Sequence, residues 1–82
     1  MNNDLNAARV EPVVSHPVTS GNEVFDFLSR FSWWEVRRVN SGNTLRILVS
    51  IRLSDGDYVK VHGRVGETVC NVTDRLRLKL IG

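Results

Sequence analysis

Residues 44–82 read T-L-R-I-L-V-S-I-R-L-S-D-G-D-Y-V-K-V-H-G-R-V-G-E-T-V-C-N-V-T-D-R-L-R-L-K-L-I-G, and this stretch decides the fold. Leu45, Ile47, Val49, Ile51 and Leu53 alternate with Arg46, Leu48, Ser50 and Arg52, the period of two expected of a strand with one buried face. Leu48 adds an apolar residue on the other face. Ser54-Asp55-Gly56-Asp57 comes next as a hairpin turn, in which Gly56 supplies the positive φ that such turns require. Tyr58, Lys60 and His62 then alternate with Val59 and Val61 in a returning strand. The last segment carries two patterns. Gly66-Glu67-Thr68 starts a helix, with Val69, Val72 and Leu76 at i, i+3 and i+7. The β-branched Thr68, Val69, Val72 and Thr73 weaken a helix, and Arg75-Leu76-Arg77-Leu78-Lys79-Leu80 alternates as a strand would. A helix over about 67–76 followed by an extended tail reconciles the two.

Upstream, residues 1–19 hold Pro12 and Pro17 and no periodic pattern, so an extended or disordered N-terminal arm is expected. Its valines (Val10, Val13, Val14, Val18) suit a segment laid across a neighbouring surface. Ser20 and Glu23 have capping-box spacing. Val24, Phe27, Leu28 and Phe31 then form one apolar face of a helix over about 21–32, with Phe25 off the stripe. Trp33–Asn40 reads as a strand. The adjacent indoles of Trp33 and Trp34 must point to opposite faces, as must Arg37 and Arg38. Asn40-Ser41-Gly42-Asn43 is a turn by composition. The expected class is α+β: a single small domain over 20–82, with a short N-terminal helix followed by a small antiparallel sheet and a hairpin–helix unit.

The chain has 82 residues, a net charge of +2, and 41% hydrophobic against 24% charged residues. A core of this size is marginal without help, and a partner is a natural source of it. So mild a charge excess does not by itself argue for nucleic acid. No apolar run approaches the roughly 20 residues of a membrane helix, and no secretory segment stands at the start. Asp4 and Glu11 beside the lone Arg9 make a poor transit peptide. The single cysteine, Cys70, excludes an intrachain disulfide, a cysteine-rich zinc site and a self-contained iron–sulfur cluster; its spacing suits a small core residue. His62 lacks a companion ligand and reads as a strand surface residue. Gly63 and Gly66 lack the Lys-Ser/Thr sequel of a phosphate loop, and Asp55 and Asp57 flank a turn glycine as turn formers. No catalytic constellation, metal site or cofactor site is expected, so the chain reads as a non-enzyme.

Gly63-Arg64-Val65-Gly66-Glu67-Thr68-Val69, followed by Leu78, Leu80 and Gly82, resembles the first half of adrenodoxin-type [2Fe–2S] ferredoxins of mitochondria and bacteria. In that family a Gly-x-Val/Ile-Gly-Asp/Glu turn starts a helix, and the Asp55-Gly56 turn falls where the family's first hairpin turns. The resemblance covers residues 44–82 and implies a β-grasp-like beginning. Ubiquitin-like modules share the same hairpin–helix order. Arg77 stands where the family has a helix-ending Gly, the cluster cysteines are missing, and Cys70 lies within the helix, so no ligand role carries over. The expected role is that of an accessory or structural subunit of a larger assembly, such as a mitochondrial membrane complex, built on a degenerate ferredoxin-like half-domain. The expected partners are protein subunits or a homodimer mate, met through Phe25, Trp33, Trp34, Arg37 and Arg38. The expected compartment is mitochondrial, or else cytoplasmic. The competing expectation is a small basic β-rich module, of phage or bacterial origin, that binds nucleic acid or acts as a protein inhibitor through Arg37, Arg38, Arg46, Arg52, Lys60 and Arg64. An even spread of those cations over both strand faces ranks nucleic acid below a protein partner.

Overall fold

The computed structural model describes residues 13–81. The chain runs α1 (Gly21–Leu28), β1 (Trp34–Ser41), β2 (Thr44–Arg52), β3 (Tyr58–His62) and α2 (Val69–Ile81), an α+β fold with one helix before the sheet. The part of the expected arm over residues 1–12 lies outside the described residues.

Ser20 caps α1 in extended conformation (φ −141°, ψ 161°), and its Oγ accepts the Glu23 N–H at 3.2 Å. The Glu23 carboxylate returns the contact one residue further out, accepting the Thr19 N–H at 3.1 Å and the Thr19 hydroxyl at 2.7 Å. His16 Nε2 lies 2.7 Å from its other oxygen. These hydrogen bonds, those from Thr19 first, hold the Glu23 carboxyl down at a pKa of about 2. The helix stops at Leu28, short of the expected Ser32. The chain then tightens, with Arg30 N–H to Phe27 O and Phe31 N–H to Leu28 O, so Phe31 still reaches the core beside Phe27. The full expected face of Val24, Phe27, Leu28 and Phe31 is buried.

The three strands form an antiparallel sheet in the order β1-β2-β3. The first hairpin turns over Gly42 and Asn43 alone, because Ser41 and Thr44 still pair and the Thr44 hydroxyl donates to Ser41 O at 2.7 Å. Leu53 leaves the ladder to close the second turn, donating to Asp57 O at 2.7 Å and accepting from Gly56 N–H at 2.9 Å. Asp55 Oδ1 accepts the Asp57 N–H at 3.0 Å, and Gly56 carries a φ of 95° that side chains rarely adopt. The register sets Trp34, Val36, Ile47, Val49, Ile51, Val59 and Val61 on one face of the sheet. Val49 and Ile51 there are fully buried with Val24, Phe27, Leu28, Val72 and Leu76 from the helices. Burial of each such side chain stabilises the fold by about 1.5–3 kcal/mol.

The expectation for the last segment is overturned. Residues 69–81 form one helix, not a helix followed by an extended tail. Thr68 caps it, its Oγ1 accepting the Asn71 N–H at 3.2 Å, so Glu67 stands before the helix and pairs with Arg75. The alternation over 75–80 hides a helical stripe: Val69, Val72, Thr73, Leu76, Arg77 and Leu80 face inward, whereas Leu78 is 51% exposed. Burial of Val72 outweighs its propensity cost of a few tenths of a kcal/mol. The buried Arg77 is tolerated because its Nε donates to Asp74 Oδ1 at 2.8 Å and its Nη1 to Val14 O at 3.3 Å. Asp74 Oδ1 also accepts the Val18 N–H at 3.0 Å. This clasp lays Val14 and Val18 into the chain's own core.

Where β3 leaves the sheet, Gly63 donates to Ile47 O at 2.6 Å. A Cβ at residue 63 would meet Val72 Cγ2 at 2.8 Å and Ile47 O at 2.9 Å, whereas one on Gly21 would meet nothing within 4 Å. Gly63→Ala is therefore expected to destabilise by about 1–3 kcal/mol. Gly21→Ala should stay within about 1 kcal/mol of the native chain, on the stabilising side; paired thermal melts measure both.

The depressed carboxyls also set the acid response. For Asp74, burial pushes the pKa up, but the hydrogen bond and charge of Arg77 and the Val18 N–H outweigh it, and the net direction is down. A carboxyl whose pKa is lowered on folding adds stability that is present above its ordinary value and lost as pH falls through the folded one. For Glu23 that window runs from 4.5 to about 2. Acid unfolding of the Glu23→Gln variant should therefore be flatter across this window than that of the native chain, with lower stability at neutral pH.

Candidate functional site

Both helices lie against the same face of the sheet, and the register decides what the other face holds. Trp34 pairs with Ile51, Arg37 with Leu48, Lys60 with Ser50 and Tyr58 with Arg52. Side chains alternate across a strand, so Arg37, Arg46, Arg52 and Lys60 share the uncovered face with Glu35, Leu48, Ser50, Tyr58 and His62. Trp33 joins them just ahead of β1, its carbonyl accepting the Arg52 N–H at 3.0 Å. The two indoles do point opposite ways.

This face has a floor, a wall and a rim. Ser50 and Leu48 form the floor, 1% and 9% exposed, because three strands of longer side chains close over them. Trp33 and Tyr58 form the wall in edge-to-face contact, 5.5 Å between centroids at 87°, and are 40% and 58% exposed. Lys60, Arg37 and Glu35 close a groove of about 310 Å³ around them. The Arg52 guanidinium stands 6.0 Å from the Tyr58 ring centroid, within cation–π range.

Charge separates the two sides of the molecule. On the helical side Arg30 meets Asp26 at 3.2 Å, Arg77 meets Asp74, and Arg75 meets Glu67 while its Nη2 donates to His62 O. The hydrogen bond from Arg75 is the main reason the Glu67 carboxyl is lowered. On the open face Arg37 pairs with Glu35 at 3.1 Å, whereas Arg46, Arg52 and Lys60 have no salt bridge among the described residues. The cations are therefore not spread evenly over the two faces. Of the six basic residues singled out in the sequence, Arg38 alone points to the helical face and Arg64 lies in a loop; the other four share the open one.

The five expected contact residues fall on separate surfaces. Trp33 and Arg37 belong to the open face. Phe25 and Trp34 meet edge-to-face at 5.9 Å on the helical side, where with Val36, Val69 and Cys70 they line an apolar groove of about 450 Å³. Arg38 lines a third depression with Leu45 and Val65. Cys70 is half-buried and packs against the core; His62 is exposed at the surface. Tyr58, which completes the aromatic wall, was missed; its shared parity with Arg52 and Lys60 across the Asp-Gly turn was the available signal.

Among the described residues no group of three His, Cys, Asp or Glu side chains is placed to hold a metal ion, and no helix is long and apolar enough to cross a membrane. No family model, curated protein or solved structure matches the chain.

Proposed function

We propose that the chain is a non-catalytic binding module whose open sheet face docks an anionic macromolecule. One observation carries this reading: four cations share that face with one carboxylate, and three of the four lack an acidic partner among the described residues. Unpaired cations on one surface raise the local positive potential, attract a polyanion and give up counterions when it binds. The mild net charge of +2 conceals this, because Asp26, Glu67 and Asp74 sit on the helical side, where they neutralise Arg30, Arg75 and Arg77.

Binding to heparin, a generic polyanion, measured across a salt series tests the proposal. The combined Arg46→Ala, Arg52→Ala, Lys60→Ala variant should lower the slope of log affinity against log salt by about 2–3. Arg30→Ala, which removes a paired cation on the helical side, should leave it unchanged. Equal losses from both variants, or none from the triple variant, would refute the reading.

A second reading, an accessory subunit of a larger assembly or a homodimer, draws on the apolar groove beside α1, where Phe25 is 62% exposed. In that case Phe25→Glu should leave the melting temperature intact while lowering the hydrodynamic mass of the chain or severing its co-purification with a partner. A native chain that is monomeric, and whose associations survive the substitution, would remove this reading.

A further inference from the structure

We infer that the anionic partner of the open face is a single-stranded nucleic acid, its bases stacking on Trp33 and Tyr58 and its phosphates held by Lys60, Arg52 and Arg46. The inference rests on the proposal that this face binds a polyanion and adds what the aromatic wall is for. A polyanion that offered charge alone, such as an acidic peptide, would engage the cations and leave the exposed surfaces of the two rings unused. A nucleic acid strand uses both, since every base has a π-face and every linkage a charge.

The layout suits a strand running along β2. Arg46 and Arg52 are six residues apart on it, roughly 20 Å in an extended chain. Lys60 lies between them on the neighbouring strand, opposite Ser50. The aromatic pair stands at the Arg52 end, where Arg52 itself faces the Tyr58 ring at 6.0 Å; a guanidinium there can meet a phosphate or lie on a base. The groove of about 310 Å³ between this wall and Lys60 is floored by Leu48 and Ser50, a mostly apolar seat for an unstacked base.

A duplex fits less well. Its major groove admits a helix or a two-stranded ribbon, whereas here a three-stranded sheet presents its broad face with both helices behind it. Stacking on protein rings also requires bases that are not stacked on each other.

The test is fluorescence anisotropy on the whole chain with a labelled oligo(U) or oligo(dT) of about 12 nucleotides, a duplex of the same length, heparin and poly-glutamate. The native chain should bind the single strand more tightly than the duplex or poly-glutamate. Trp33→Ala and Tyr58→Ala should each weaken single-strand binding by about 5- to 100-fold while leaving heparin binding within about twofold; Tyr58→Phe, which keeps the ring, should bind as the native chain does. Melting curves confirm that the variants fold. Duplex or poly-glutamate bound as well as the single strand, no single-strand binding, or single-strand binding indifferent to Trp33→Ala would overturn the inference while the polyanion reading stands. Failure of heparin binding to depend on Arg46, Arg52 and Lys60 would instead remove that reading itself.

Discussion

Three strands offer two faces, and the two helices among the described residues cover only one. Every other feature depends on that shortage of cover. β2 is central, paired along both edges, and its inward residues Val49 and Ile51 need a roof. α1 and α2 supply it with Phe27, Leu28, Val72 and Leu76. On the outward side the same strand carries Arg46, Leu48, Ser50 and Arg52, and neither described helix approaches. Leu48 and Ser50 are buried there, at the floor of a groove lined by Arg37, Lys60, Trp33 and Tyr58. A half-covered sheet of this kind is stable when its open side is polar at the rim.

The roof itself is held at its margin by polar contacts. The described helices, of eight and thirteen residues, give a small core, and the chain enlarges it by drawing in Val14 and Val18 from the segment before α1. What fixes them is the Asp74–Arg77 pair, which binds the backbone of both residues while neutralising itself. A buried ion pair is a weak source of net stability; here it specifies where the entering segment lies. Glu23 acts similarly at the start of α1, gathering His16, Thr19 and Ser20 around one carboxylate.

Much of the fold was legible because local signals agreed with one another. The apolar stripe of α1, the alternation of β2 and the Asp55-Gly56 turn each point to one conformation, and each is found. The end of α2 was not legible for a specific reason. Arg77 in the middle of an apolar helical stripe argues for alternation, and only the carbonyl of Val14 and the carboxylate of Asp74 make it acceptable inside. Val14 is far away in sequence, so no local pattern announces it. The site was half legible. Trp33 and Arg37 were singled out, but their union with Arg46, Arg52, Tyr58 and Lys60 depends on how the hairpins set strand register. The tight Gly42-Asn43 turn pairs odd residues of β1 with even residues of β2, and the longer turn at Asp55-Gly56 pairs even with even. Counting basic residues strand by strand without that pairing scatters them over both faces.

The proposed function is thus tied to the face that the described helices leave uncovered. On the helical side Arg30, Arg75 and Arg77 are matched to acids; on the open side Arg46, Arg52 and Lys60 share a face with exposed rings and have no acidic partner among the described residues. The most direct measurement is a residue-resolved NMR titration of the chain with a short single-stranded oligonucleotide. Amide shifts concentrated at residues 46–52 and 58–62, with the Trp33 indole moving and that of Trp34 still, are expected. Shifts centred on α1, α2 or the Phe25–Trp34 groove, with the open face silent, would contradict the assignment of the binding face.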